Sequence, residues 1–445
     1  MKRILYIAAM TALLMTSCQK TDILNVAEDT IDFSTEVGKL TKADYSSVKY
    51  NTLKDQGFRV WTFADFTLGS DLDGTIYREM ANLPVHFTGT GFEINSSKKY
   101  FWPAAGNYLY FHVLSAKNET WLASIDYKTV FLLVTSTEED PKTVTGLDLP
   151  TYTVNENADD DIMVADSIRQ DKSKSKTVSP LFKHTMTQVR FNFQQGAAGT
   201  GEDDAAEASV VILKGIQTEY LSKVGNLDVT YSATEDKTTT VDIDETKMSF
   251  KWTPTYDVIQ DGATYTNMHQ FKAVPSDNLV IVKNSSTIIS QTAPAAESTP
   301  TEGDKYAVYD GTDKTYTVKT YTSNTWNVEE VLTYDNEKAR WSSAKYEAFP
   351  GKVLTGTMEN FVTWYMIPQE LTMDHSSSGE TAKTVRISYV ADGKHIDQSF
   401  SLKGSTVTKW SEEVCVNYNV TIAPHKIQFN PSVGDWDKTD VGMDN

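Results

Sequence analysis

Val414-Cys415-Val416-Asn417-Tyr418-Asn419-Val420-Thr421-Ile422 is the stretch whose reading decides the fold. Val416, Tyr418, Val420 and Ile422 alternate with Asn417, Asn419 and Thr421, a period of two that gives an extended strand one apolar and one polar face. Pro424 has no amide to donate and ends the run. Lys426-Ile427-Gln428-Phe429-Asn430 then alternates again before Gly434-Asp435-Trp436. Working outward, the same period recurs. In 181–193, Val189, Phe191 and Phe193 face one way, with Arg190 and Asn192 the other. In 107–114, Tyr108, Tyr110 and His112 alternate with Leu109, Phe111 and Val113, so both sides are apolar, as in a central strand. Phe58, Val60, Trp61 and Phe63 mark a strand over 57–66. Further strands are expected at 130–134, 161–165, 210–216 and 361–369, the last stopped by Pro368. Two more, at 385–390 and 399–402, flank the turn Asp392-Gly393. Few stretches carry a 3.6-residue period, so the chain is read as all-β, as two β-sandwich domains in series, with short helices in connections.

The chain has 445 residues, 40% of them hydrophobic and 11% aromatic, enough for a sizeable core. Its formal net charge of −19 excludes nucleic-acid binding through a general field, and anionic membrane surfaces repel it. Only two cysteines occur, Cys18 and Cys415, so stability must come from burial and backbone pairing rather than a disulfide framework. Cys415, inside the alternating stretch, reads as a buried structural thiol.

The chain opens Met1-Lys2-Arg3, followed by an apolar run of about a dozen residues and then Thr16-Ser17-Cys18. Such a run is too short to span a bilayer, which takes roughly 20 residues. A basic start, a short apolar middle and small residues describe a cleavable signal peptide, residues 1–17. Leu14-Met15-Thr16-Ser17-Cys18 resembles a bacterial lipobox, in which the cysteine is acylated and becomes the new N-terminus; acylation at Cys18 would tether the chain to the outer membrane. A tether and a first strand occupy 18–42. Ile31, Phe33 and Val37 lie on one face of Ile31-Asp32-Phe33-Ser34-Thr35-Glu36-Val37, and a polar, basic loop with Lys39 and Lys42 follows. The Lys-rich stretch 167–179 is read as the boundary between an N-terminal sandwich, 43–178, and a C-terminal sandwich, 179–445. The Ser/Thr/Pro-rich region 285–302 reads as a surface excursion with strands as far as Glu330.

Catalytic constellations are absent from the sequence. No histidine stands in HExxH spacing, and neither a GxSxG elbow nor a phosphate-cradling loop occurs. His184, among large apolar residues, reads as a histidine satisfied by a backbone group. Asp71-Leu72-Asp73-Gly74 lacks the closing glutamate of a calcium loop, since Glu79 is misplaced, and reads as a turn. Asp159-Asp160-Asp161 reads as a solvated loop. No enzyme, metal or cofactor is implied.

The order of these features resembles one family. It runs from the lipobox and an alternating strand through Thr41-Lys42-Ala43 to Tyr100-Phe101-Trp102-Pro103 and Asp161-Ile162-Met163. Leu181-Phe182-Lys183-His184 with Thr187-Gln188-Val189-Arg190-Phe191, then Tyr365-Met366-Ile367-Pro368-Gln369, and finally Trp436, complete it. Over nearly the whole chain this resembles the fimbrillins of Bacteroidetes, the subunits of type V pili. The resemblance implies two transthyretin-like Greek-key β-sandwich domains, export as a lipoprotein, cleavage after the first strand, and polymerisation by strand exchange. Its partners would be other pilus subunits and a host or bacterial surface ligand. Ile31, Phe33 and Val37 would then form the removable strand, with Ile427, Phe429 and Val433 as the plugs of a donor strand. The family's usual cleavage site is an arginine, whereas this loop offers Lys39 and Lys42. Either a Lys-accepting protease cuts here, or the subunit keeps its strand and serves as an anchor or non-polymerising lipoprotein. In the latter reading, exposed aromatics such as Trp326 or Trp341 would capture glycans or host protein.

Overall fold

The computed structural model describes residues 30–33, 47–65, 80–102, 108–126, 130–134, 143–165, 167–170, 177–196, 210–231, 248–255, 268–285, 287–295, 299–375, 379–423 and 426–435. Cys18, Val37, Lys39, Lys42, Asp71-Leu72-Asp73-Gly74 and Trp436 lie outside the described residues.

The described chain is nearly all β, with helices at Ser47–Gln56 and Glu119–Ala123. The second is capped by Asn118, whose side-chain oxygen accepts from the Trp121 amide at 3.0 Å. Two compact units form: Met1–Thr145, Val164–Phe182 and Tyr231–Met248 make the first, and Gly146–Met163, Lys183–Thr230 and Ser249–Asn445 the second. The sequence reading divides the chain once, at 178/179. The units divide it several times because strands pair at long range: Leu147 finds its partner in Val229, which draws 146–163 into the second unit.

In the first unit the main sheet runs in the order Thr177–Val178, Asp32–Phe33, Phe92–Ile94, Leu83–Phe87, Phe58–Asp65, Tyr108–Ser115, and Ile168–Gln170 pairs with Tyr108–Ser115 on the side away from Phe58–Asp65. Tyr108–Ser115 is central, as its two apolar faces require: Leu109, Phe111, Val113 and Leu114 are fully buried, and so is His112, which burial pushes down to about 3. The His112 ring lies 5.5 Å from that of Tyr231.

The second unit holds a four-stranded sheet in the order Glu359–Met366, Thr187–Gln195, Val414–Ala423, Lys426–Asp435. Val416, Tyr418, Val420 and Ile422 are buried, as the alternation demands, and Phe191 stacks on Tyr418 at 4.9 Å. On the polar face, Asn192 donates to Asn419 at 2.9 Å and Gln194 to Thr421 at 2.9 Å, stitching the strands together. A second sheet contains Ile212–Glu219, Thr384–Ala391 and Lys394–Ser401, and Phe271 beside it packs against Trp364 of the first, with ring centroids 6.0 Å apart. The hairpin between the last two strands turns at Asp392 and Gly393, with φ of 49° and 69°, the two left-handed residues of a tight turn that matches strand twist.

The excursion near 285 extends further than its composition suggests. Asn278–Val282, Ile288–Ile289, Lys305–Asp310, Thr315–Thr322, Thr325–Asp335, Arg340–Ser342 and Tyr346–Pro350 form one seven-stranded sheet. A bridge between Ser290 and Tyr306, with the Ala307 amide donating to the Ser290 carbonyl at 2.8 Å, brings its first and last strands together. The sheet thus closes into a small barrel, and its interior is filled by Val280, Ile289, Ala307, Tyr316, Val318, Leu332, Tyr346 and Ala348. The outer side of Ile281 and Phe349 packs on Ile212 and Val390 of the sandwich.

Candidate functional site

In the first unit, the strand Asp32–Phe33 lies between two others. It runs parallel to Thr177–Val178 and antiparallel to Phe92. Thr30 bridges Phe101, and the Ile31 amide donates to the Tyr100 carbonyl at 2.9 Å. Ile31 and Phe33 point inward and are only 3% and 5% exposed, while Asp32 faces solvent. The Phe33 ring meets Phe58 and Phe111 edge-on, at 5.9 and 6.0 Å. Burial of the two side chains contributes about 3–6 kcal/mol at 1.5–3 each. That is a firm hold for the four described residues of the segment. Its position also means that withdrawing it uncovers the edges at Val178 and Phe92 and an aromatic-floored groove.

In the second unit, Lys426–Asp435 is the last strand of its sheet and pairs along its length with Val414–Ala423. Ile427 and Phe429 are half-buried and Val433 is 49% exposed. Phe429 stacks on Tyr418 at 5.3 Å and on Phe400 at 5.1 Å. Phe400 falls in the strand expected at 399–402, but the sequence did not single it out as a partner of Phe429. Pro431 stands within the strand, a residue tolerated there because the strand is an edge, and its carbonyl accepts from the Thr406 hydroxyl at 3.2 Å.

The motifs that carried the family resemblance serve buried polar networks. His184 is buried, and its Nδ1 lies 2.5 Å from an Asp161 carboxylate oxygen. The carboxylate is a partner that the sequence reading did not name. It corrects the solvated-loop reading of 159–161, since Asp160 and Asp161 are both buried and the Tyr152 hydroxyl donates to Asp160 at 2.7 Å. Burial, reinforced by Asp160, pushes the Tyr152 hydroxyl far up. Neither partner, Tyr152 or His184, is adjacent in sequence to the acidic triplet. The Gln369 side chain of Met366-Ile367-Pro368-Gln369 accepts from the Ser222 amide at 3.0 Å and from Lys383 at 2.6 Å, and donates to the carbonyls of Ser222 and Ile367. Burial lowers Lys383 to about 7. Its parity with Val385, Ile387 and Tyr389, all core residues, was the available signal that it points inward. Among the described residues, no group of three or more His, Cys, Asp or Glu is placed to hold a metal ion. Cys415 is buried.

The barrel separates the two tryptophans named from the sequence. Trp341 lies on the interior face beside Tyr316 and Tyr334. Trp326 lies on the outer face, against Tyr306 and Tyr321. Both are partly buried.

No family model matches the sequence, and no curated protein is similar enough to match it. Solved structures of fimbrial and adhesion proteins are similar over nearly the full length, at low identity. A fimbrial protein from Bacteroides vulgatus shares 14% identity, with 92% of this chain and 99% of that one covered and a TM-score of 0.43. A protein of proposed cell-adhesion role from Bacteroides uniformis shares 9%, with the same coverages and a TM-score of 0.38. The tip fimbrial protein Mfa3 from Porphyromonas gingivalis, truncated at its C-terminus, shares 9%, with 86% and 94% covered and a TM-score of 0.25. Likenesses this distant leave the function to be argued from the chain's own residues.

Proposed function

We propose that the chain is the precursor of a structural fimbrial subunit, a surface protein without catalysis, that polymerises by exchanging its opening strand for the terminal strand of another copy. The seating of Ile31 and Phe33 carries this reading. Two deeply buried plugs, Ile31 just before the strand and Phe33 within it, are held where the strand has partners on both sides, so their removal exposes both an apolar groove and unpaired backbone. An open site of that kind recruits a strand from elsewhere. Lys426–Asp435 supplies the matching shape, an edge strand with Ile427 and Phe429 in alternation and Val433 already open to solvent. Insertion of one copy's tail into the next is a heterologous contact that does not close, so it builds a filament.

In this reading Cys18 is lipidated, the chain reaches the outer membrane as a lipoprotein, and cleavage at Lys39 or Lys42 frees the opening strand. The two units would each be a transthyretin-like sandwich. Limited trypsin treatment of the purified precursor tests it. The expected result is a new N-terminus at Leu40 or Ala43 together with a ladder of oligomers. A chain cut at either lysine that stays monomeric contradicts the proposal.

A further inference from the structure

The small barrel holds none of the residues assigned to the proposed exchange of strands, and it carries six of the ten exposed large hydrophobic residues of the described chain: Ile288, Val308, Tyr309, Val328, Val331 and Tyr334. Two of them differ in kind from the rest. By strand period, Tyr309 shares its face with Ala307, and Tyr334 with Leu332, both interior residues. Tyr309 pairs with Tyr316, Tyr316 with Leu332, and Tyr334 with Trp341. The interior side chains Ala307, Tyr316 and Leu332 are buried, but Tyr309 and Tyr334, on the last rung, are 46% and 45% exposed. They are inward-facing rings at an open mouth.

The rings are held by one another. Tyr309 and Tyr334 flank Trp341 at 6.0 and 4.8 Å, inclined at 81° and 65°, and Tyr316 supports Trp341 from within at 5.2 Å. The indole N–H donates to the Lys314 carbonyl at 2.8 Å, which fixes its plane. The neighbouring carboxylates are engaged by their own turns. Asp310 accepts from the amides of Thr312 and Asp313, and Asp335 accepts from those of Glu337 and Lys338 and pairs with the Lys338 ammonium at 3.2 Å. The polar network on the interior side differs, with Lys305, Thr320, Lys345 and Tyr346 gathered around Glu329. Although burial pushes the Glu329 carboxyl up, hydrogen bonds from these groups bring it down to about 2.

We propose that this aromatic mouth is a carbohydrate-binding site for one or two neutral sugar residues. Fixed aromatic faces take the apolar C–H face of a pyranose, and the tyrosine hydroxyls meet its rim of hydroxyl groups. The carboxylates of Asp310 and Asp335, kept ionised by the hydrogen bonds of their own turns, disfavour an anionic ligand. The size of the patch decides against a protein partner, which needs about 800 Å² per side; two half-open rings at a barrel mouth offer far less, and barrel mouths are places where small ligands bind. The inference goes beyond the subunit reading and stands whether or not the opening strand is exchanged.

Titration of the full chain with lactose, cellotriose, chitotriose and mannotriose, followed by saturation-transfer NMR and calorimetry, tests it. At least one is expected to bind saturably. Tyr309→Ala and Tyr334→Ala are each expected to weaken it about tenfold, with thermal unfolding unchanged. Tyr309→Phe should keep most of the affinity, and Val331→Thr on the outer face all of it. Absence of saturable binding by all four sugars overturns the proposal. Binding that survives both alanine substitutions, or that is lost in Val331→Thr, overturns it equally.

Discussion

Replacement of Phe33 by alanine tests how the opening strand is held. Phe33 is 5% exposed and meets two aromatic edges. Removal of a buried phenylalanine costs about 3–5 kcal/mol, because the groove cannot collapse onto the smaller side chain. In the intact chain that is a large share of a stability of about 5–15 kcal/mol, and it is measured by denaturant unfolding. After cleavage at Lys39 or Lys42 the same loss acts on the residence of the opening peptide. At 1.4 kcal/mol per decade, Phe33→Ala speeds its release by about two to three and a half decades. Ile31→Val, which removes one methylene at about 0.5–1.5 kcal/mol, speeds it up to about tenfold. Asp32→Ala, whose side chain faces solvent, should change it less than about twofold. The assay follows the tryptic N-terminal peptide as it separates from the cut protein, by size exclusion with mass detection. Release from Phe33→Ala at the wild-type rate, or equal acceleration by Asp32→Ala, would show that the buried ring does not hold the strand.

Three further outcomes follow from buried groups and from one turn. His112, pushed down to about 3 by burial, stays neutral in the folded unit while the unfolded chain takes up a proton below about 6.5; its contribution is therefore present above that pH and lost as pH falls. Between pH 6 and 4 the wild type should lose about 2–3 kcal/mol more than His112→Phe, read from urea midpoints. Lys383, lowered to about 7, binds its proton less well folded than unfolded, so stability should rise by about 2 kcal/mol from pH 7 to 9, and this rise should vanish in Lys383→Met. Gly393→Ala places a methyl 2.2 Å from the backbone of Asn284 and Ser285 at a φ of 69°, and is expected to cost at least 1–3 kcal/mol in thermal unfolding, with Gly404→Ala, whose neighbour is only the Pro431 ring, costing less.

The strands were legible wherever one face met the core. Val414–Ala423 alternates because its sheet is wet on one side, and the hairpin at Asp392-Gly393 was legible because a tight turn demands two left-handed residues. The inward parity of Ile31 and Phe33 could be read as well. The partners of that strand, Thr177–Val178 and Phe92, could not, since pairing between distant segments leaves no periodic mark. Closure of the barrel at Ser290 and Tyr306 is of the same kind. An acidic triplet looks solvated until Tyr152 and His184 are brought to it, and both arrive through tertiary folding. Tyr309 and Tyr334 look like ordinary strand residues in sequence, and only their place on the last rung leaves them open.

A photo-crosslinker at position 429 tests the central claim most directly. In the uncut chain it should capture its own Tyr418 or Phe400, the residues Phe429 stacks on. After trypsin cleavage and assembly, the expected products join position 429 of one copy to peptides of another that contain Phe58, Phe92, Phe111 or Val178. Crosslinks that remain within one copy, on Tyr418 and Phe400, while oligomers form would contradict the exchange of strands.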